Sequence, residues 1–204
     1  MAGSDVPARS GSAVLTDYPE DLLSSPYTRA RQTAEAICEA GGLAGGAKPT
    51  VTDERLRERE FGIFDGLTTL GIREKFPEEA AHRKRLGKFY HRPPGGESWA
   101  DVILRLRSML NTINLHYSDR RVLVVCHQVV VVCMRYILVG LDEAEILKID
   151  RQADVLNCGM CAFDFEPDDK GLCEPRLVLW NHGAPLDAEG AAKTSARDVM
   201  AGSR

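Results

Sequence analysis

The sequence predicts an α/β fold in three layers: a mostly parallel central sheet with helices on both faces. Three features predict it. Strand-like and helix-like segments alternate along the chain as strand, helix, strand, several helices, strand, helix, then two strands. In residues 121–126 a continuous apolar run with β-branched valines follows Arg121, the pattern of a strand covered on both faces. Residues 102, 103, 106, 109, 110 and 113 are apolar at helical spacing, the buried stripe of a helix lying on such a sheet.

The elements follow in order. Residues 1–14 are rich in Ala, Gly and Ser and read as a flexible leader. Residues 15–183 form one domain, and 184–204 read as a disordered tail. Residues 21–24 predict a short strand. The good helix formers of 28–39 follow, stopped by Gly41 and Gly42. Residues 51–57 predict a short strand leading to Glu58. Residues 68–76 read as a helix halted by Pro77, and 78–88 as a charged, mostly solvated helix. The prolines and glycines of 91–96 make a loop. Ser98 and Asp101 predict a capping box with Asp in place of Glu. Residues 129–139 are too long and apolar for a surface strand and predict a buried helix, against the preference of four consecutive valines; Gly140 ends it. Residues 142–145 cap the next helix, and 160–165 and 176–180 are late strands.

The 204 residues suit one domain with a large core. A net charge of −4, with both signs interspersed, argues against a nucleic-acid binder, which would carry a basic stripe. No apolar run approaches the ~20 residues needed to span a bilayer, so no membrane association is expected. The N-terminus lacks the basic start and apolar block of a signal peptide. The six cysteines therefore read as reduced thiols of a cytoplasmic protein. Cys158 and Cys161 form a C-x-x-C, the pattern of a redox or metal site, but no second pair completes a zinc site, and the segment leads into a strand rather than opening a helix. Small half-buried residues are the better reading.

Arg29, Glu58 and His127 each lie just past a predicted strand end, where ligands of parallel sheets sit. His127 also precedes a predicted helix, whose free N–H groups and positive dipole end suit an anion. A guanidinium, a carboxylic acid and an imidazole together make a kit for gripping a phosphoryl group and protonating its leaving oxygen. Taken singly, each has a plainer reading: a surface cation, a solvated carboxylate and a core histidine.

Four stretches carry a resemblance. S-S-P-Y-T-R-A-R-Q-T-A at 24–34, L-R-E-R-E-F-G-I-F-D-G at 56–66, P-P-G-G-E-S at 93–98 and V-L-V-V-C-H-Q at 122–128 resemble the histidine phosphatase superfamily, with its phosphoglycerate mutase-like fold. F-P-E-E at 76–79, G-G-E-S and C-H-Q lean toward its fructose-2,6-bisphosphatase branch. The resemblance implies phosphoryl transfer through a phosphohistidine on a small phosphorylated metabolite, with no metal or cofactor. Homodimerisation is left open. By resemblance, Arg29 is the phosphate-pocket arginine, Glu58 the proton donor and His127 the second, non-phosphorylated histidine. Gln128 joins the phosphate contacts. Arg83, Lys88 and Arg92 stand where the branch places substrate cations, although a solvated basic face is their plainer reading. Val132, Trp99 and Thr69 depart from that branch, which carries an arginine and two tyrosines there.

The family's nucleophile is a histidine in an R-H-G turn after its first strand. The first histidine of this sequence is His82, and no R-H-G occurs. The expectation is a domain shortened at its N-terminus, without that first strand and helix and impaired as a phosphatase. The alternative is a pseudophosphatase that binds phosphate or a phosphorylated partner without turning it over. An N-H-G at 181–183 ends a late strand; seating His182 as the nucleophile would need a circular rearrangement, and an edge strand is the simpler reading.

Overall fold

The computed structural model of the chain describes residues 19–40, 50–152, 154–167 and 173–183. The predicted leader, the tail and the Gly41-Gly42 stop lie outside the described residues. The elements are β1 (Asp21–Ser24), α1 (Thr28–Glu39), β2 (Val51–Thr52), α2 (Thr69–Lys75), α3 (Pro77–Tyr90), α4 (Trp99–His116), β3 (Val122–Val125), α5 (Gln128–Val139), α6 (Glu143–Gln152), β4 (Met160–Pro167) and β5 (Cys173–His182), with short 3₁₀ turns at Glu54–Leu56 and Gly62–Phe64.

β1 lies between β2 and β3, parallel to both. Successive side chains of a strand point to opposite faces, and this places the helices. Leu22, Leu123 and Val125 pack with Ala34 and Ile37 of α1 on one face. Leu23, Val122 and Val124 face the other way, into the main core with Trp99, Val102, Leu106 and Met109 of α4 and Val129, Val130 and Cys133 of α5. The predicted three layers are therefore present.

The register sets the site. Ser24 stands opposite both Thr52 and Val125, so the carboxyl ends of the three strands are level. The ladder runs one step further, with Ser25 N–H donating to the Val125 carbonyl at 2.9 Å and Asp53 N–H to that of Ser24 at 3.0 Å.

Two expectations are corrected. The strand expected over 51–57 is only Val51–Thr52, because Asp53 caps a 3₁₀ turn instead, its side chain accepting from Arg55 N–H at 2.8 Å. The valine-rich β3 is half-buried rather than fully buried, since among the described residues it has a strand partner on one side only. The late strands pair with each other, antiparallel, and stand apart from the parallel sheet. Arg135 of α5 ties this hairpin to the core, its guanidinium 4.2 Å from the Trp180 ring centroid.

The capping box forms, with Ser98 Oγ accepting from Asp101 N–H and the Asp101 carboxylate accepting from Ser98 N–H. Gly140 ends α5 in the left-handed conformation. α3 breaks at Gly87, whose φ of 80° leaves the helical region and turns the chain toward His91. Among the described residues no helix is long and apolar enough to cross a membrane.

Candidate functional site

Ser25, Tyr27 and Arg29 follow β1, and His127 follows β3 as the N-cap of α5. Because the strand ends are level, these segments meet. Arg29 Nη2 donates to His127 Nδ1 at 3.1 Å. A guanidinium has no acceptor, so Nδ1 must carry the lone pair. The ring proton then sits on Nε2, which donates to Ser25 Oγ at 2.8 Å. Tyr27 stacks edge-on against the imidazole, ring centroids 5.1 Å apart, and Arg29 lies over the Tyr27 ring.

His127 and Ser25 are buried, while Arg29 is exposed. Burial, with the Arg29 and Arg105 guanidiniums beside it, holds the His127 pKa down to about 4. The imidazole is therefore neutral near pH 7. A phosphate dianion entering between Arg29 and His127 would supply the charge that favours protonation.

Glu58 reaches the same helix end from the segment after β2. Its Oε1 accepts from Arg59 N–H at 2.9 Å, and Val129 N–H, in the first turn of α5, also donates to the carboxylate. Burial raises its pKa above the ordinary glutamate value despite these bonds and the nearby Arg29 and Arg105. A carboxyl so placed holds a proton more readily than a surface glutamate, as a general acid must.

A second basic group lies behind it. Lys88 Nζ donates to Asp150 at 2.6 Å, with side chains 11% and 2% exposed. Arg83 is half-buried, and burial lowers its pKa and that of Lys88. Burial and Arg83 together hold Arg59 down to about 10. Among the expected substrate cations, Lys88 is therefore committed to Asp150. Arg92 is exposed and paired with Asp101, its Nε donating at 2.7 Å. Gln128 donates to Asp154 Oδ1 at 3.3 Å.

Residue patterns missed Ser25, Tyr27, Arg59 and Arg105. Ser25 sat in the quoted S-S-P motif, yet only the fold shows that it meets His127. Arg105 holds Glu97 in a two-pronged ion pair, at 2.9 and 3.1 Å, and donates to the Arg55 carbonyl. Glu97 in turn accepts from Glu60 N–H at 3.1 Å. This chain of contacts fixes the segment that carries Glu58.

Comparison with known proteins shows the family and the fold. Residues 8–182 match the model of the histidine phosphatase superfamily (branch 1). The chain is 31% identical over 147 residues to a probable phosphoglycerate mutase of Yersinia enterocolitica, covering 71% of this chain and 63% of that one. It is 38% identical over 103 residues to human 6-phosphofructo-2-kinase/fructose-2,6-bisphosphatase 3, covering 50% of this chain and 17% of that one. The solved mycobacterial glucosyl-3-phosphoglycerate phosphatase superposes with a TM-score of 0.63 at 26% identity, covering 81% and 78% of the two chains. The chain spans less than two thirds of the length of either curated relative.

Proposed function

This chain belongs to the histidine phosphatase superfamily (branch 1), and on that premise we propose that it is a phosphatase-type protein whose pocket takes the phosphoryl group of a small phosphomonoester. The observation that carries the reading is the Arg29–His127–Ser25 cluster at the N-terminus of α5, with the Glu58 carboxyl on the same helix end. Arg29 and the helix end bind the phosphoryl oxygens. His127, protonated as the dianion binds, stabilises charge on the group in transfer. Glu58 gives its proton to the leaving oxygen as water attacks phosphorus and the bond to that oxygen breaks, releasing the alcohol and inorganic phosphate. Arg83 extends the positive field toward the rest of the substrate, while Lys88 and Arg92 would have to loosen their pairs with Asp150 and Asp101 to join it. Gln128 would likewise have to turn from Asp154.

In the family the phosphoryl group passes to a histidine in an R-H-G turn, a tripeptide that does not occur in these 204 residues. That observation favours a second reading: the chain binds a phosphomonoester without turning it over. One experiment separates them. Purified chain is assayed with p-nitrophenyl phosphate, and vanadate and inorganic phosphate are titrated by calorimetry. Turnover lost in Glu58→Gln supports the phosphatase; binding lost in Arg29→Ala without turnover supports the binding module. Neither turnover nor binding removes both. Since Arg29 is exposed, Arg29→Ala leaves stability nearly unchanged while weakening phosphate about 10- to 100-fold, the worth of a charge-assisted contact.

A further inference from the structure

Glu79, His82 and His91 bring three ligand atoms within 4.8 Å of one another. Two belong to one helix: Glu79 and His82 are three residues apart on α3 and so share a face. The third is delivered by the break at Gly87, after which the chain places His91 at the helix end. His91 Nε2 lies 3.5 Å from Glu79 Oε2, and His82 Nδ1 lies 4.0 Å from that same oxygen.

A second observation points to a ligand. His91 is 1% exposed; its Nδ1 has no hydrogen-bond partner among the described residues, and its Nε2 has only the long 3.5 Å contact to the Glu79 carboxylate. An imidazole always carries a donor or a second acceptor to satisfy, and leaving a buried one unmade costs about 1–3 kcal/mol. Buried orphans of this kind often mark an ion. The ring is held in place, stacked on Phe64 with planes 8° apart. It faces a carboxylate and a second imidazole whose side chains are only 31% and 42% exposed.

We propose that Glu79, His82 and His91 form a binding site for a zinc-class divalent ion. Two imidazoles and one carboxylate suit zinc or cobalt, whereas magnesium and calcium call for oxygen ligands throughout. Ligand atoms about 2.0–2.1 Å from a tetrahedral zinc stand roughly 3.3 Å from one another. The 3.5 Å His91–Glu79 pair is near that spacing, and rotation of the half-exposed His82 must close both its 4.0 Å contact to Glu79 and its separation from His91, which the 4.8 Å spread of the cluster bounds. The fourth position opens on the side where His82 and Glu79 meet solvent, and takes water. The site shares no residue with the Arg29–His127 cluster and does not depend on the proposed phosphatase chemistry. It does reach that region mechanically: the His91 carbonyl accepts from Arg59 Nη2 at 3.4 Å, and Arg59 N–H holds Glu58. A bound ion ties the first turn of α3 to its end and stiffens the loop beyond.

The test uses tag-free protein stripped with chelator, titrated with zinc against a chromophoric chelator. One equivalent is expected, with affinity falling at least about 100-fold in His82→Ala, which removes a direct ligand. Glu79→Gln should weaken binding as well. Both side chains are half-exposed, so these variants are chosen over His91→Ala, which would open a cavity in the core. Zinc should raise the melting temperature of the parent and leave that of His82→Ala unmoved. Cobalt should give ligand-field bands with no thiolate charge-transfer band, which separates this site from the exposed Cys158 and Cys173. Absence of binding, unchanged affinity in both variants, or a thiolate band overturns the proposal.

Discussion

Ser25 Oγ lies 2.8 Å from His127 Nε2, across 102 residues of sequence, with Ser25 fully buried. This contact fixes the ring that Arg29 meets on its other nitrogen. Ser25→Ala leaves the buried Nε2–H without an acceptor. A loss of about 1–3 kcal/mol in stability is expected from that orphaned group, with weaker vanadate binding. Chemical denaturation and calorimetry check the two effects, and full retention of both would remove Ser25 from the site.

Two groups in the pocket respond to pH with opposite sign. The His127 pKa is about 4 in the fold, against about 6.5 in an unfolded chain. Between those values the unfolded chain takes the proton first, so His127 makes the protein less stable as pH falls through that window and costs nothing above it. Glu58 has a raised pKa; it stabilises the fold at low pH, and that contribution is lost as pH rises through the folded value. Melting curves between pH 4 and 7 should therefore fall more steeply with acid in Glu58→Gln than in the parent. They should flatten in His127→Asn.

Phosphate binding should also move protons. A dianion beside His127 raises the pKa of a ring that burial and Arg29 otherwise keep neutral. Calorimetry near pH 7 in buffers of different ionisation enthalpy should report uptake of up to about one proton per phosphate. His127→Asn should reduce that uptake; an unchanged value would place the proton elsewhere.

The Lys88–Asp150 pair is the buried charge pair whose loss should be felt most. Asp150→Ala strands a buried ammonium beside Arg83 and Arg59 and is expected to cost about 3–5 kcal/mol. Replacing both partners, as Lys88→Met with Asp150→Leu, should recover much of that loss, because the desolvation penalty goes with the charges. Urea unfolding of the parent and the two variants tests it.

Gly62 has φ of +54°, and a Cβ there would lie 2.1 Å from the Pro94 carbonyl oxygen. Neither the conformation nor the backbone contact leaves room for a side chain. Gly62→Ala should destabilise by more than about 2 kcal/mol, combining backbone strain with a steric clash. It should also lower the melting temperature more than Gly66→Ala, where nothing lies within 4 Å of the added Cβ.

By itself the sequence determined most of the elements and singled out Arg29, Glu58 and His127 as candidates. The bounds of α1, the Ser98–Asp101 capping box, the buried helix after His127 and the left-handed stop at Gly140 were all legible in it, because periodicity and capping act over a few residues. The placement of Arg29 and His127 after strand ends was legible for the same reason, whereas Glu58 follows the 3₁₀ turn that replaces the expected end of its strand. Only the tertiary structure decided which atoms meet. The level register of Ser24 with Thr52 and Val125 brought Ser25 under His127, Asp150 claimed Lys88, and the break at Gly87 carried His91 to Glu79 and His82. Those partners are 9 to 102 residues apart, and no local preference encodes them; register, helix packing and the exclusion of water from buried charges do.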